Sequence, residues 1–77
     1  MDLSTAIKII RQKSFLTQEQ FANELNVAFS TVNRWEKGKT IPNLAAMKQI
    51  KEYCERNNLS FEELEDAWLG KTEEREK

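Results

Sequence analysis

Residues 16–42 read LTQEQFANELNVAFSTVNRWEKGKTIP, and this stretch decides the fold. Thr17 and Gln20 have the spacing of a capping box, which starts a helix at about residue 18. Asn26 suits the end of that helix, because asparagine tolerates a positive φ better than most residues. Another helix follows from about residue 29 to residue 37, where Gly38 stops it. The stretch therefore predicts two short helices joined by a tight corner.

The flanking sequence also predicts helices. Apolar residues recur every three or four positions, and only two glycines and one proline interrupt the chain. Helices are expected over about residues 2–13, 18–25, 29–37 and 43–56, followed by a short fifth helix after residue 60. The inward positions of the later helices include Ala28, Val32, Trp35, Leu44, Met47, Ile50, Phe61, Leu64, Trp68 and Leu69. The predicted fold class is all-α, a compact five-helix bundle that contains a helix-turn-helix.

Length and composition restrict both the organisation and the possible chemistry. A chain of 77 residues forms one small domain, predicted over residues 1–70, while the charged end KTEEREK at 71–77 predicts a disordered tail. One cysteine and no histidine exclude an internal disulfide, ordinary zinc sites and histidine-activated nucleophiles. The sequence therefore predicts no enzyme, no catalytic residue, no cofactor and no metal. With no membrane-spanning run and no signal peptide, a cytoplasmic location is expected.

Charge is distributed unevenly along the chain. Residues 1–48 carry seven Lys or Arg and four Asp or Glu, a balance of +3. Residues 49–77 carry five Lys or Arg and nine Asp or Glu, a balance of −4, and the two balances add up to the net charge of −1. Because local basic patches bind nucleic acid, the front half is the candidate interface. The acidic back would repel phosphate and should face away from it, although an ordinary solvated face is the favoured interpretation of these carboxylates.

The run from Leu16 to Pro42 resembles the phage-repressor-like (Cro-type, XRE) helix-turn-helix family, which has the lambda-repressor-like fold. The resemblance covers about residues 6–59. Its marks are Arg11, Thr17, Gln18, Ala22, Val32 and the run Trp35-Glu36-Lys37-Gly38-Lys39 before Pro42. It implies a sequence-specific double-stranded DNA-binding regulator, a repressor, whose third helix reads the major groove. The chain departs from the family at Ala28, where a capping Ser or Thr is usual, and at Phe29, an unusual aromatic there.

In that docking mode, residues on the outer face of the third helix would contact bases. Arg34 could pair bidentately with guanine, Asn33 could read adenine, and Ser30 could donate or accept a hydrogen bond. Phe29 leaves two alternatives open, since its ring could touch a thymine methyl group or could pack back on the second helix. Arg34 is the strongest of these candidates, and the competing interpretation is that its charge is simply solvated.

Other residues would hold the DNA backbone or the recognition helix itself. The candidate phosphate contacts are Gln18, Thr31, Lys37, Lys39, Thr40 and Asn43. The resemblance also pairs Arg11 with Glu36 in a structural ion pair that fixes the third helix without touching DNA. For each lysine, simple solvation is the alternative interpretation, and for Gln18 the alternative is ordinary helix-start chemistry.

Two further interpretations concern partners. Regulators of this type commonly bind two half-sites as homodimers, and Trp68 and Leu69 could supply the contact, with core packing as the rival explanation. The alternative function is a protein-interaction module, such as an antitoxin-like or antirepressor-binding partner, in which DNA contact is secondary. An enzyme ranks last, because the carboxylates are predicted on solvated helix faces.

Overall fold

The structure is a computed structural model that describes the backbone of residues 1–76 and the side chains of residues 1–72. Within that range the chain forms five helices and no strand. They are α1 (Leu3–Lys13), α2 (Gln18–Leu25), α3 (Phe29–Glu36), α4 (Leu44–Arg56) and α5 (Glu62–Glu76). The all-helical prediction is confirmed, and α2 and α3 are the two helices of the helix-turn-helix.

Three of the helices begin at a side-chain cap. Asp2 accepts a hydrogen bond from the Thr5 N–H at the start of α1, and Asn43 accepts one from the Ala46 N–H at the start of α4. Thr17 and Gln20 form the predicted capping box in both directions, with N···O distances of 3.1 and 2.9 Å. Caps of this kind satisfy N–H groups that have no partner inside the helix.

The corner between α2 and α3 depends on one residue in the left-handed conformation. Asn26 has φ 57° and ψ 41°, and the next N–H, that of Val27, donates to the Ala22 carbonyl. Val27 then packs half-buried against the core. Ala28 stands at the N-cap of α3 and makes no side-chain capping bond, as its residue type predicts.

Gly38 ends α3 in the way the sequence indicates. It has φ 74°, its N–H donates to the Trp35 carbonyl, and the Lys39 N–H reaches back to the Arg34 carbonyl. This pair of bonds is a Schellman motif, which satisfies the last carbonyls of the helix. Glycine adopts the required positive φ without steric cost.

The same motif ends α1, but with a phenylalanine in the left-handed position. Phe15 has φ 59°, its N–H donates to the Gln12 carbonyl, and the Leu16 N–H donates to the Arg11 carbonyl. A left-handed conformation costs an ordinary residue about 1–2 kcal/mol. The Phe15 side chain is also 94% exposed, so no packing offsets this strain.

One hydrophobic core joins all five helices. It consists of Leu3, Ala6, Ile7, Ile10, Phe21, Ala22, Leu25, Val32, Trp35, Ala46, Met47, Ile50, Tyr53, Cys54 and Leu64. The Phe21 ring meets the Tyr53 ring edge to face, with centroids 5.5 Å apart. Trp68 links α5 to the loop before α4 through a hydrogen bond, since its indole N–H donates to the Pro42 carbonyl at 2.7 Å.

Several residues predicted to point inward are exposed instead. They are Ala28, Leu44 and Leu69. Ala28 and Leu44 lie at the N-terminal ends of α3 and α4, where the chain arrives from a loop. At these positions the apolar face of the helix has not yet reached the core. Leu69 follows Trp68, and adjacent residues of a helix lie about 100° apart, so both cannot face the core equally.

Helix α5 also differs from the expected tail. The helix continues through residues 71–76, where the sequence predicts disorder, and Lys77 lies outside the described residues. Glu, Lys and Arg are good helix formers, and extending an existing helix is far easier than starting one. The Thr72 hydroxyl also donates to the Trp68 carbonyl, one turn back.

Candidate nucleic-acid interface

Helix α3 has a buried face and an exposed polar face. Val32 and Trp35 are buried in the core and anchor the helix. Ser30, Arg34 and Lys37 are exposed on the other side, so the polar groups of that face are available to a ligand. These three residues follow helical spacing of three and four, which places them on one surface.

Arg11 and Glu36 meet in a bidentate ion pair. The Nε and Nη2 atoms of Arg11 donate to Oε2 and Oε1 of Glu36 at 2.8 and 2.9 Å. The side chains are only 14% and 4% exposed, respectively. The hydrogen bond to Glu36 raises the pKa of Arg11 above its ordinary value, against the opposing effect of burial. The guanidinium also donates from Nη1 to the Leu16 carbonyl, so one side chain joins α1, the start of α2 and the end of α3.

Gln18 extends this pair into a network that reaches the middle of α3. Its Nε2 donates to Oε1 of Glu36 at 3.1 Å, and its Oε1 accepts from Nδ2 of Asn33 at 3.0 Å. The four side chains therefore form a continuous chain of bonds, from Arg11 through Glu36 and Gln18 to Asn33. This chain resists rotation of α3 relative to α2, because any rotation would break several charge-assisted or buried bonds.

Four of the other sequence-predicted phosphate contacts lie just after α3, and the fifth, Thr31, lies in its first turn. Lys37, Lys39, Thr40 and Asn43 are exposed, while Thr31 is half-buried. Asn43 uses its side-chain oxygen to cap α4, which leaves its amide N–H groups as donors. The structure thus brings two lysines and further polar donors to the segment from Lys37 to Asn43, directly after the base-reading candidates.

Phe29 begins α3 and remains 52% exposed. The ring is thus neither in the core nor fully extended into solvent. On the helix it lies one turn before Asn33, on the flank of α3 that meets α2. This position leaves about half of the residue's surface accessible to a ligand.

Two further features of the described residues bear on chemistry: their potential metal ligands and the thiol of Cys54. No group of three potential metal ligands is present there. Cys54 is buried, and burial raises the pKa of its thiol to about 11, which keeps the sulfur protonated and unreactive at neutral pH. No helix within the described residues has the length and apolar character that crossing a membrane requires.

The link between Gln18 and Asn33 is the feature that sequence reasoning missed. The sequence predicts both residues as DNA contacts, Gln18 for a phosphate and Asn33 for a base, and gives no direct sign that they bond to each other. Spacing offered a signal, since Asn33 and Glu36 are three residues apart and share one flank of α3. A residue on the same flank as the structural Glu36 lies toward the neighbouring helices, and in the structure Asn33 meets Gln18 of α2 there.

Comparison with known proteins gives a consistent result. A family model described as helix-turn-helix matches residues 7–64, which is most of the chain. The HTH-type transcriptional activator BcrR of Enterococcus faecalis is 35% identical over 53 residues. That match covers 69% of this chain but only 26% of the relative, so the chain spans about a quarter of that protein. No solved structure matches the chain. From its matched residues and its α2–α3 geometry, the chain belongs to the XRE-type helix-turn-helix family of DNA-binding proteins.

Proposed function

We propose that this chain is the sequence-specific double-stranded DNA-binding part of a transcription regulator and that α3 reads the major groove. The observation that carries the proposal is the polar outer face of α3, held in a fixed orientation by the network of Arg11, Glu36, Gln18 and Asn33. A helix that reads base edges needs such a fixed orientation, because each hydrogen bond requires a defined distance and angle.

The proposed base contacts follow from the donors and acceptors that remain available. Arg34 is exposed and can direct two N–H groups to O6 and N7 of one guanine. Asn33 uses one amide N–H on Gln18, which leaves its oxygen and a second N–H for the N6 and N7 edge of adenine. Ser30 adds a hydroxyl on the same face as Arg34.

The proposed backbone contacts surround this face. Lys37, Lys39, Thr40 and Asn43 would hold phosphates beyond the C-terminal end of α3. Gln18 would hold a phosphate at the start of α2, where its remaining amide N–H and the positive end of the helix favour an anion. Thr31 completes the set as a hydroxyl donor. These contacts would position the chain without reading sequence.

Regulation and assembly are part of the same proposal. A domain of this size covers one half-site, so a homodimer on two half-sites about one helical turn apart is the proposed binding unit. The resemblance to phage repressors favours repression, whereas BcrR carries the name of an activator. A reporter gene placed behind the preferred DNA site would distinguish the two, since only repression lowers transcription.

The decisive experiment begins with selection of preferred duplexes from random DNA. Arg34→Ala should then weaken binding to the preferred duplex by about 1–3 kcal/mol and change binding to random DNA much less. Lys39→Ala should weaken binding to both duplexes similarly and reduce the salt dependence by about one phosphate contact. Lys51→Ala, which removes an exposed lysine from α4, serves as the matched control. Equal binding of all duplexes would contradict the proposal.

A protein-interaction module is the second candidate, and one surface feature favours it. A groove of about 570 Å³ lies between the α2–α3 corner and α4, and among the described side chains no charged one lines it. Leu44, exposed at the start of α4, lies next to the groove residues Asn43 and Ala45 in the chain. If selection yields no preferred duplex, this surface becomes the leading candidate site.

A further inference from the structure

Phe15, in the corner between α1 and α2, combines two unfavourable features. Its φ of 59° lies in the left-handed region, which strains a residue that carries a β-carbon. Its side chain is 94% exposed, which leaves a large apolar surface in water. Packing within the described part of the chain therefore does not explain a phenylalanine at this position. Strained residues of this kind cluster at sites that bind a ligand.

Hydrogen bonds hold this corner in a fixed shape. The Phe15 N–H donates to the Gln12 carbonyl at 3.0 Å, and the Leu16 N–H donates to the Arg11 carbonyl at 3.3 Å. The Leu16 carbonyl accepts from Nη1 of Arg11 at 2.9 Å, and the Leu16 side chain packs half-buried against the core. The ring of Phe15 thus projects from a preformed backbone, so a partner that contacts it pays little ordering entropy for the backbone.

The corner lies next to the proposed phosphate contact at the start of α2. Phe15 precedes Gln18 by three residues, over which a chain advances at most about 10 Å. Gln18 bonds to Asn33 at 3.0 Å, so the residues follow one another from the proposed base contact through the proposed phosphate contact to Phe15. A nucleotide advances about 3.4 Å along its strand, which puts the neighbours of that phosphate within reach of the ring. Lys13, exposed two residues before Phe15, adds a positive charge that suits the same strand.

One group of the DNA backbone suits an apolar ring. Packing a phenyl ring on a phosphate would remove water from a charge without replacing its hydrogen bonds. Deoxyribose presents C–H groups, on which a ring can pack without that cost. The base edges lie inside the grooves, where α3 is proposed to bind. A protein partner could also cover an exposed ring, but the position of Phe15 beside Gln18 and Lys13 favours the DNA strand.

We propose that Phe15 packs its ring on a deoxyribose next to the phosphate that Gln18 holds. This inference rests on the proposed function, since it assumes that the start of α2 docks on the DNA backbone. It adds an apolar contact to a backbone interface that otherwise consists of polar and charged groups. The contact reads no base and neutralises no phosphate, so it should strengthen binding to every duplex without changing the salt dependence.

Variants of Phe15 test the contribution to affinity. Phe15→Asn removes the ring but keeps a residue that tolerates a positive φ, as Asn26 does. Phe15→Gly also removes any side chain that could bond to phosphate. Both variants should bind the preferred and the random duplex about four- to tenfold more weakly, as expected for loss of a partly buried ring. Phe15→Tyr keeps the ring and should keep the affinity of the unmodified chain.

The salt dependence distinguishes this contact from a charged one. The Kd is measured by fluorescence anisotropy over a series of salt concentrations, with each variant shown to be folded by circular dichroism. The slope of log Kd against log salt should be the same for Phe15→Gly as for the unmodified chain. Lys39→Ala should instead lower that slope, because it removes a proposed phosphate contact.

Hydroxyl-radical footprinting locates the contact, because the radical removes deoxyribose hydrogens that solvent can reach. In the saturated complex with the unmodified chain, a deoxyribose beside the Gln18 phosphate should be protected, and Phe15→Gly should restore its cleavage. Ethylation interference, compared between the unmodified chain and Gln18→Ala, identifies that phosphate. Lys51→Ala, the control on α4, should change neither the protection nor the Kd.

The outcomes separate this inference from the proposed function. If no duplex is preferred over random DNA, both proposals fail. If a preferred duplex exists but Phe15→Asn and Phe15→Gly keep the affinity and the cleavage pattern of the unmodified chain, the deoxyribose contact is wrong and the regulator remains. The exposed ring would then be assigned to a protein partner. A lower salt slope in these variants, or a loss confined to the preferred duplex, would also overturn the contact, because it would indicate a charge effect or base reading.

Discussion

Removal of one member of the ion pair should destabilise the chain far more than loss of a surface charge. Arg11→Met keeps a long apolar side chain but removes the guanidinium, leaving the Glu36 carboxylate, which is only 4% exposed, with the amide of Gln18 as its remaining partner. Breaking a buried pair in this way costs about 3–5 kcal/mol. An exposed pair would cost only 0 to about 1 kcal/mol.

The structure supports the larger value. The substitution removes two charge-assisted bonds of 2.8 and 2.9 Å and the bond to the Leu16 carbonyl at 2.9 Å. Hydrogen bonds to charged groups contribute about 1.5–3 kcal/mol each, and their effects overlap because all three come from one guanidinium. A domain of 77 residues has a total stability of about 4–12 kcal/mol, so a loss of about 3–5 kcal/mol in Arg11→Met removes roughly a quarter of it or more.

Urea unfolding followed by far-ultraviolet circular dichroism measures the loss. Arg56→Met is the matched control, because Arg56 is exposed and its guanidinium carbon lies over the Tyr53 ring, 5.9 Å from the centroid. That control should lose no more than about 1 kcal/mol. The double variant Arg11→Met with Glu36→Met should recover much of the stability, since it leaves no unpaired buried charge. A loss below about 1 kcal/mol for Arg11→Met would refute the reasoning.

Three further predictions concern stability and assembly. Phe15→Gly should raise the free energy of unfolding by about 1 kcal/mol, because glycine adopts the positive φ without strain, and an unchanged or lower melting temperature would contradict this. Burial raises the pKa of the Cys54 thiol from 9.0 to about 11. The neutral thiol therefore contributes fully to the free energy of unfolding below pH 9, and this contribution is lost as the pH rises toward 11, because the unfolded chain ionises first. Relative to Cys54→Ala, the unmodified chain should therefore lose stability across that range in pH-dependent urea unfolding, and parallel curves would exclude the effect. Trp68→Ala should lower the melting temperature, because it removes packing and the bond to the Pro42 carbonyl; an unchanged melt with weaker self-association in sedimentation would instead favour the dimer contact.

The sequence predicted the helix boundaries best where a residue has one strong local role. Thr17 and Gln20 form the capping box that their spacing predicts, and Gly38 adopts the positive φ that ends α3. These features depend on contacts within a few residues, so they do not require knowledge of the tertiary structure. The all-helical architecture follows from the same local signals repeated along the chain.

Sequence reasoning was less successful where position in the bundle decides the outcome. Leu44 continues the apolar periodicity of α4, yet it is exposed because it lies at the first position of that helix. Phe15 adopts a conformation typical of glycine, which no residue preference would predict. In both cases the path of the backbone between helices determines the environment, and that path depends on how α1, α2 and α4 pack together.

The network leaves Gln18 with a donor for the proposed DNA contact in addition to its structural bonds. Gln18 has one oxygen and two amide N–H donors, and the structure uses the oxygen on Asn33 and one N–H on Glu36. One N–H remains, which is what a phosphate contact at the start of α2 requires. A phosphate held there would reinforce the orientation of the amide that already positions Asn33, so the proposed backbone contact and the proposed base contact depend on the same side chain. The interaction that orients α3 in the free chain would therefore also align it with the DNA backbone, without any rearrangement of the helix.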